Sequence, residues 1–208
     1  WLSESLDEHL YAEGEDAVVG RRDSDGLMVW AGIRLPGDGG VVRRLRFGWD
    51  ARRDHFENWL RVDGDAPYPT PEDREISGPR VGFEVINDRF EVLSGFRGFA
   101  AQEDVALGPN LVLGLTASAP AFGGDRRRLV FDGRVEAAGH RNGWLLLASA
   151  WTSGRLESDG LRDMILGGQL ATSQLGARAW QARVMVEDGH RLDLDRQLTL
   201  GADVGLRG

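Results

Sequence analysis

The chain has no cysteine among its 208 residues, and all 25 of its basic residues are arginine. The lack of cysteine excludes a disulfide framework, a thiolate metal site and a thiol nucleophile. The lack of lysine excludes a P-loop lysine, a Schiff-base lysine and a Ser-Lys dyad. The formal net charge of −8 argues against a general nucleic-acid binder, because such proteins are usually basic.

Long apolar segments are also absent from the sequence. No run of about 18 apolar residues occurs, which excludes a transmembrane helix. Only 41% of the residues are hydrophobic, and 29 are glycine. A membrane β-barrel is still possible, because half of each of its strands faces a polar interior and its sequence signal is alternation.

Motifs for catalysis or metal binding are missing as well. There is no GxSxG elbow for a nucleophilic serine, and Glu103 and Asp104 lack the ligand spacing of a calcium loop. The four histidines are scattered without the paired spacing of a zinc site: His9, His55, His140 and His190. We therefore predict that the protein is not an enzyme and that it has no metal site and no cofactor.

Alternation of apolar and polar residues is the main pattern from residue 27 onward. In residues 111–116 every odd position is leucine, and in 129–137 apolar residues oppose Asp132, Arg134 and Glu136. The pattern predicts an all-β antiparallel fold with about nine or ten strands of about 8 to 12 residues, separated by turns. Residues 1–26 show no clear period and receive no assignment.

Two further segments complete this reading of the sequence. Residues 63–79, rich in proline and acid, predict a long polar loop. Residues 192–200 alternate leucine with polar residues, which predicts a last strand with Asp193 and Asp195 on its polar side. Periodicity leaves two architectures open: a soluble sandwich, whose charged strand faces meet solvent, and a membrane barrel, whose charged faces line a water-filled interior.

The tail LTLGADVGLRG resembles the signature of the bacterial surface-antigen superfamily. This family comprises the outer-membrane barrels of the BamA and TamA assembly factors and the two-partner secretion transporters. Ala202 stands where a second glycine is commoner, and the aromatic residue of the motif would follow the last residue of this chain. A second similar stretch is Glu103–Gly108, followed by Phe122 and Gly123, so the resemblance covers roughly residues 40 to 208. The matching tail residues are Leu200, Gly201, Gly205, Leu206, Arg207 and Gly208.

The resemblance implies an antiparallel transmembrane β-barrel of 16 strands, of which residues 27–208 would form a part that ends inside a lumenal loop. Periplasmic domains of the full-length chain would precede residue 1. Arg207 would lie inside the barrel and pair with acidic residues on later strands. Asp193, Asp195 and Asp203 are candidate lumenal acids, although solvated loop acids explain them nearly as well.

The function implied by the resemblance is assembly, insertion or translocation of proteins at the bacterial outer membrane, without enzymatic activity. The expected partners are outer-membrane lipids and client outer-membrane or secreted proteins, with no nucleic acid. Two alternatives stay open: the barrel portion of an outer-membrane lipase-type enzyme, and a soluble all-β binding module.

Overall fold

Strands account for most of the molecule. The computed structural model describes residues 2–12, 15–36, 40–61, 69–94, 102–174 and 180–196. Within these ranges there are two short 3-10 helices, Pro120–Phe122 and Leu194–Arg196. The all-β prediction is confirmed. The strands are β1 (Leu2–Ala12), β2 (Glu15–Leu35), β3 (Val41–Arg61), β4 (Arg74–Asn87), β5 (Phe90–Ser94), β6 (Gln102–Ala106), β7 (Gly108–Ser118), β8 (Arg128–Arg141), β9 (Trp144–Glu157), β10 (Gly160–Gln174) and β11 (Trp180–His190).

Nine of these strands form one antiparallel sheet in the order β1-β2-β3-β4-β7-β8-β9-β10-β11. Within this sheet the strands follow the order of the chain, and β4 pairs with β7. Strands β5 and β6 lie between these two in the sequence and form a separate hairpin. Within the described residues, β1 and β11 have one neighbouring strand each. This part of the chain therefore forms an open sheet, with a strand count close to the one predicted.

Apolar side chains occupy one face of the sheet from β2 to β11. Val29 pairs with Trp49, and Val81 pairs with Leu115. Side chains of directly paired residues point to the same side of a sheet, so these pairs define an apolar face. Its exposed large side chains are Leu27, Val29, Ile33, Phe47, Trp49, Val81, Leu113, Leu115, Leu129, Val135, Leu146, Leu156, Leu166, Leu170, Val184 and Val186.

The opposite face, called the charged face below, carries most of the ionised side chains. Its positions alternate with those of the apolar face along the same strands. Several of its ionisable side chains are nevertheless buried, including Asp50 at 0% and Glu84 at 5% exposure. Its residues include Arg46, Asp50, Arg52, Asp54, Arg74, Arg80, Glu84, Thr116, Arg128, Asp132, Arg134, Glu136, Arg155 and Glu157.

In the described ranges, no second layer packs on the apolar face. The β5–β6 hairpin packs its Leu93 near Leu145 of the charged face, and the segment after β11 bonds to Arg74 on that same face. On the apolar side the ring of Phe122, from the β7–β8 connection, contacts Trp49 at a centroid distance of 5.6 Å. The hydrophobic residues of the sheet thus do not form the interior of a two-layer sandwich.

The helices in the described part of the chain are too short and too polar to cross a membrane.

Three segments differ from or extend the sequence prediction. Residues 1–26, which received no assignment, contain β1 and the first half of β2. The loop prediction is wrong over residues 74–79, because β4 begins at Arg74, which pairs with Asp54 on the long strand β3. The strand prediction is wrong over residues 192–196, which leave the sheet and form a 3-10 turn on the charged face.

We expect Gly167→Ala to lower the free energy of unfolding by about 1–3 kcal/mol, through overpacking. A Cβ at Gly167 would lie 2.2 Å from Cε2 of Trp151, whose indole N–H donates to Glu187 at 3.1 Å. Urea unfolding in detergent, followed by tryptophan fluorescence, measures the change. Gly168→Ala is the matched control, since its Cβ would meet only the Ser149 carbonyl oxygen at 3.7 Å. Equal losses of unfolding free energy for the two variants would contradict the close packing of Trp151 on Gly167.

Candidate functional site

The apolar face forms a band across the sheet from β2 to β11. On β2 it extends from residue 27 to 35, and on β8 from residue 129 to 137, which is nine residues in each case. A β-strand that crosses the hydrocarbon core of a bilayer needs about 9–11 residues when tilted by about 45°. The apolar segments of these two strands match the lower end of this range.

Register is continuous within this band from β2 to β9. The irregularities in strand pairing occur between Leu10 and Tyr11, between Val19 and Arg21, and between Arg162 and Ile165. The first two lie outside the apolar band, and the third lies near its end on β10, between the Leu156–Leu161 and Thr152–Leu166 pairs. This location matters because a slip of one residue inside the band would exchange its apolar side chains for charged ones.

A network of polar contacts crosses four adjacent strands at the centre of the charged face. Asp50 on β3 is fully buried and accepts a hydrogen bond from the Thr116 hydroxyl on β7 at 3.0 Å. Arg52 Nη2 lies 2.8 Å from the same carboxylate. Arg80 on β4 donates to Thr116 at 3.1 Å and also bonds to Asp132 on β8. Shared partners thus connect β3, β4, β7 and β8 on this side.

A second group of ion pairs holds the segment after β11 against the charged face. Asp193 lies 2.7 Å from Arg74 Nη1 and 2.6 Å from Arg155 Nη2. Asp195 lies 2.6 Å from Arg74 Nη2. We call Arg74, Arg155, Asp193 and Asp195 the Asp193 cluster. Its two arginines come from β4 and β9, and its two carboxylates come from the returning chain.

The surroundings of the Asp193 cluster satisfy the remaining donors of its arginines. Asp54 lies 3.2 Å from Arg74, and Asp163 lies 3.3 Å from Arg155. Asp163 is buried and also receives a bond from Arg196 at 2.7 Å, so the 3-10 turn is fixed at both of its ends. A guanidinium offers five donors in a rigid fork, which suits such shared contacts with several carboxylates.

Burial makes these pairs important for the position of the segment. The side chain of Asp195 is 0% exposed and that of Arg74 is 8% exposed. Removing one partner of a buried pair leaves an uncompensated charge and typically costs about 3–5 kcal/mol. An exposed pair contributes less than about 1 kcal/mol. The Asp193 cluster is therefore the main electrostatic attachment of residues 192–196.

The Asp193 cluster also joins strands that are not neighbours. Strands β4 and β9 are separated by β7 and β8, which corresponds to three strand spacings of about 4.8 Å each. Arg74 and Arg155 nevertheless reach the same carboxylate oxygen of Asp193. The length of the two arginine side chains bridges this separation.

Two acids near the segment after β11, Asp193 and Asp159, have lowered pKa values. Burial by itself raises the pKa of Asp193, but hydrogen bonds and charge from Arg155 and then Arg74 lower it below its usual value. In the β9–β10 turn, hydrogen bonds from Arg162 and Arg191 lower the pKa of Asp159 to about 2. Both carboxylates are therefore ionised near neutral pH.

The structure brings together two of the candidate residues from the sequence. Asp193 and Asp195 both lie on the charged face, bonded to Arg74, although they are not on a strand. Their role as lumenal acids stays a prediction. The tail motif residues Gly201, Gly205, Leu206, Arg207 and Gly208, together with Asp203, lie outside the described residues. Their roles stay predictions.

The arginine partners of these acids were missed by the sequence reading. Arg74 stood in the segment predicted as a loop, and Arg155 stood just after the apolar run 144–151. Continuing the alternation of β9 past Trp151 would have put Arg155 on the polar side of its strand. No local pattern could have matched either arginine with an acid more than 30 residues away.

Within the described residues there is no group of three or more histidine or acidic side chains arranged to hold a metal ion.

Comparisons with protein-family models, with curated proteins and with solved structures give no match to this chain. The candidate functional features are therefore the two faces of the sheet and the segments that cover the charged one.

We expect acidification to detach residues 192–196 from the charged face. A carboxylate whose pKa is lower in the folded state stabilises that state above its unfolded pKa of about 3.9. This stabilisation is lost as the pH falls through the lower folded value. The anisotropy of a fluorescent label on Leu192→Cys should drop as the pH falls below about 4.

The matched variants for this experiment are Asp193→Asn and Asp23→Asn. The first removes the charge, so we expect low anisotropy already at pH 7 and the loss of this pH-dependent step. The second changes an exposed acid on β2 that pairs with Arg21, and we expect it to behave like the parent. Constant anisotropy of the parent down to pH 2 would contradict the role given to Asp193.

Proposed function

We propose that this chain is part of a bacterial outer-membrane β-barrel, which takes part in the assembly, insertion or translocation of proteins. The apolar face contacts lipid, and the charged face encloses an aqueous interior. The protein acts without enzymatic chemistry, and its partners are outer-membrane lipids and client proteins.

The observation that carries the proposal is the uncovered apolar face. Sixteen large hydrophobic side chains on this face are between 38% (Leu129) and 68% (Val186) exposed. Soluble monomers rarely expose a contiguous apolar patch larger than a few hundred Å². In a lipid bilayer the same surface is in its favourable medium, and no protein layer is needed to cover it.

The charged face supports the same orientation in the membrane. Ionised side chains are costly in hydrocarbon, so they face the interior of a membrane protein or a water-filled cavity. The ion pairs around Asp50, Asp132 and Asp193 would be enclosed in this arrangement. An open sheet edge cannot remain in lipid, because its backbone donors and acceptors have no water to bond. Further strands of the full-length protein would therefore close the sheet.

The role in assembly or translocation is supported by the resemblance of the tail and by the position of the residues before it. Asp193 and Asp195 precede the motif Leu200–Gly208 by a few residues. Arg74 and Arg155 hold these acids on the charged face, which the proposal assigns to the barrel interior. The interior loop formed by the motif is what the resemblance implies. Client folding into the bilayer would supply the free energy.

Lipid contact predicts an alternating accessibility along β8. The chain has no cysteine, so single spin labels can be attached at any of its positions without background. In the full-length protein in phospholipid vesicles, we expect Val135→Cys to be accessible to oxygen and protected from a water-soluble nickel chelate. Arg134→Cys, one residue away and also exposed, should show the opposite. Nickel accessibility at both positions would favour the soluble binding module.

The assembly role predicts a measurable activity for the full-length protein in vesicles. We expect it to accelerate the folding of an added urea-unfolded outer-membrane protein several-fold over empty vesicles. Arg207→Ala should abolish most of this acceleration, because the interior loop loses its anchor. Arg53→Gln, at an exposed arginine of β3, is the control and should keep the parent rate. Equal rates with and without the protein would exclude the role.

A further inference from the structure

Among the described strands, the β5–β6 hairpin is the one departure from sequential strand order in the sheet. Strands β4 and β7 pair directly, from Arg80 with Thr116 to Val85 with Leu111. Phe90–Ser94 and Gln102–Ala106 therefore lie outside the nine-stranded sheet and pair with each other. The base of the hairpin is closed, because the Leu107 amide donates to the Arg89 carbonyl oxygen at 2.7 Å.

The hairpin lies on an apolar patch of the charged face. Toward the β8–β9 turn, Ala138 on β8 and Leu145 and Leu147 on β9 stand at positions of the charged face. Leu93 and Val105 of the hairpin pack there, and Leu145 is 0% exposed beneath them. We call Ala138, Leu145 and Leu147 the docking patch. The docking patch is apolar, whereas the other ends of β8 and β9 carry charged residues such as Arg128 and Arg155 on the same face.

Polar contacts and a cavity complete this interface. His140 Nδ1 lies 2.7 Å from the Glu91 carboxylate of the hairpin. Beside the patch, a cavity of about 440 Å³ lies between the hairpin and the sheet. It is lined mainly by polar side chains, which include Asn110, Ser149, Gln169 and Gln181. The hairpin thus covers one end of the charged face, and residues 192–196 cover the other.

Two apolar side chains attach the described part of the hairpin to the sheet. A two-stranded hairpin is marginally stable at best by itself. Among its described side chains, Leu93 and Val105 are buried, whereas Phe90 and Val92 on its other side are each 60% exposed. Segments with few buried contacts open with a small free energy.

We propose that the β5–β6 hairpin is a displaceable internal plug, which occupies a docking site for extended apolar segments of a client chain. The inference rests on the proposed function, since it assigns the charged face to the interior of a translocating or assembling barrel. A client segment that offers alternating apolar side chains would replace Leu93 and Val105 on the docking patch. The hairpin would then leave the interior open.

Thiol labelling tests the displacement directly. The reporter is Ala138→Cys in the full-length protein in detergent, treated with a water-soluble maleimide. We expect slow labelling in the parent and labelling at least about tenfold faster with Leu93→Asp, the factor that the lost burial of one leucine gives. Val92→Asp introduces the same charge one residue away on the exposed side, and we expect less than a twofold change.

A second variant guards against misfolding caused by the buried charge. Replacing Phe90–Ala106 by two glycines joins β4 to β7 as an ordinary hairpin, and we expect the same fast labelling. A synthetic peptide of residues 89–107 should then slow labelling again in a saturable manner, whereas a scrambled peptide should not.

Two results would overturn the plug. One is labelling in the parent as fast as in the Leu93→Asp or deletion variant, and the other is the absence of any effect of the peptide. These measurements need no membrane, so they fail independently of the lipid-contact experiment on β8. If the labelling results are as expected but Val135→Cys is exposed to water, the hairpin docks as described and the membrane assignment is the part that is wrong.

Discussion

The structure depends on keeping aliphatic and ionised side chains on opposite faces of a single sheet. Successive residues of a strand point to opposite sides, so regular pairing over most of the length of eight strands, from β2 to β11, separates them. The pairing irregularities at Leu10 and Val19 fall outside the apolar band, and the one at Arg162 lies near its end on β10. In the described part of the chain no second layer covers the hydrophobic side, and this observation is the one that supports the proposed contact with lipid.

The buried carboxylates of the charged face are stabilised by hydrogen bonds and ion pairs. Its buried carboxylates are each bonded to arginine or hydroxyl groups, as Asp50 is to Arg52 and Thr116. Arginine is well suited to this role because one guanidinium serves several acids, and Arg74 contacts Asp54, Asp193 and Asp195 at once. These contacts connect strands that are not neighbours and fix the chain after β11 on the same side.

Two segments of the chain cover the charged face, and they are attached by different forces. Residues 192–196 are held by ion pairs near one end of the charged face. The β5–β6 hairpin is held by Leu93 and Val105 near the other end. The ionic attachment depends on pH, since it requires ionised carboxylates. The hydrophobic attachment can be competed by another apolar segment. In the proposed barrel, the ion pairs would keep residues 192–196 in place on the charged face. The hydrophobic attachment would allow the β5–β6 hairpin to be displaced by a client segment.

The sequence by itself determined the all-β class, the approximate strand count and the side on which most residues lie, because these follow from the two-residue period of Leu111–Thr116 or of residues 129–137. It also placed Asp193 and Asp195 on the polar side of their segment. Only the tertiary structure decided that residues 192–196 leave the sheet, that Arg74 belongs to a strand and that β5–β6 folds back over Leu145. The reason is that these features depend on contacts between residues distant in the sequence, such as Arg74 with Asp195, whose energies exceed the local preferences that periodicity measures.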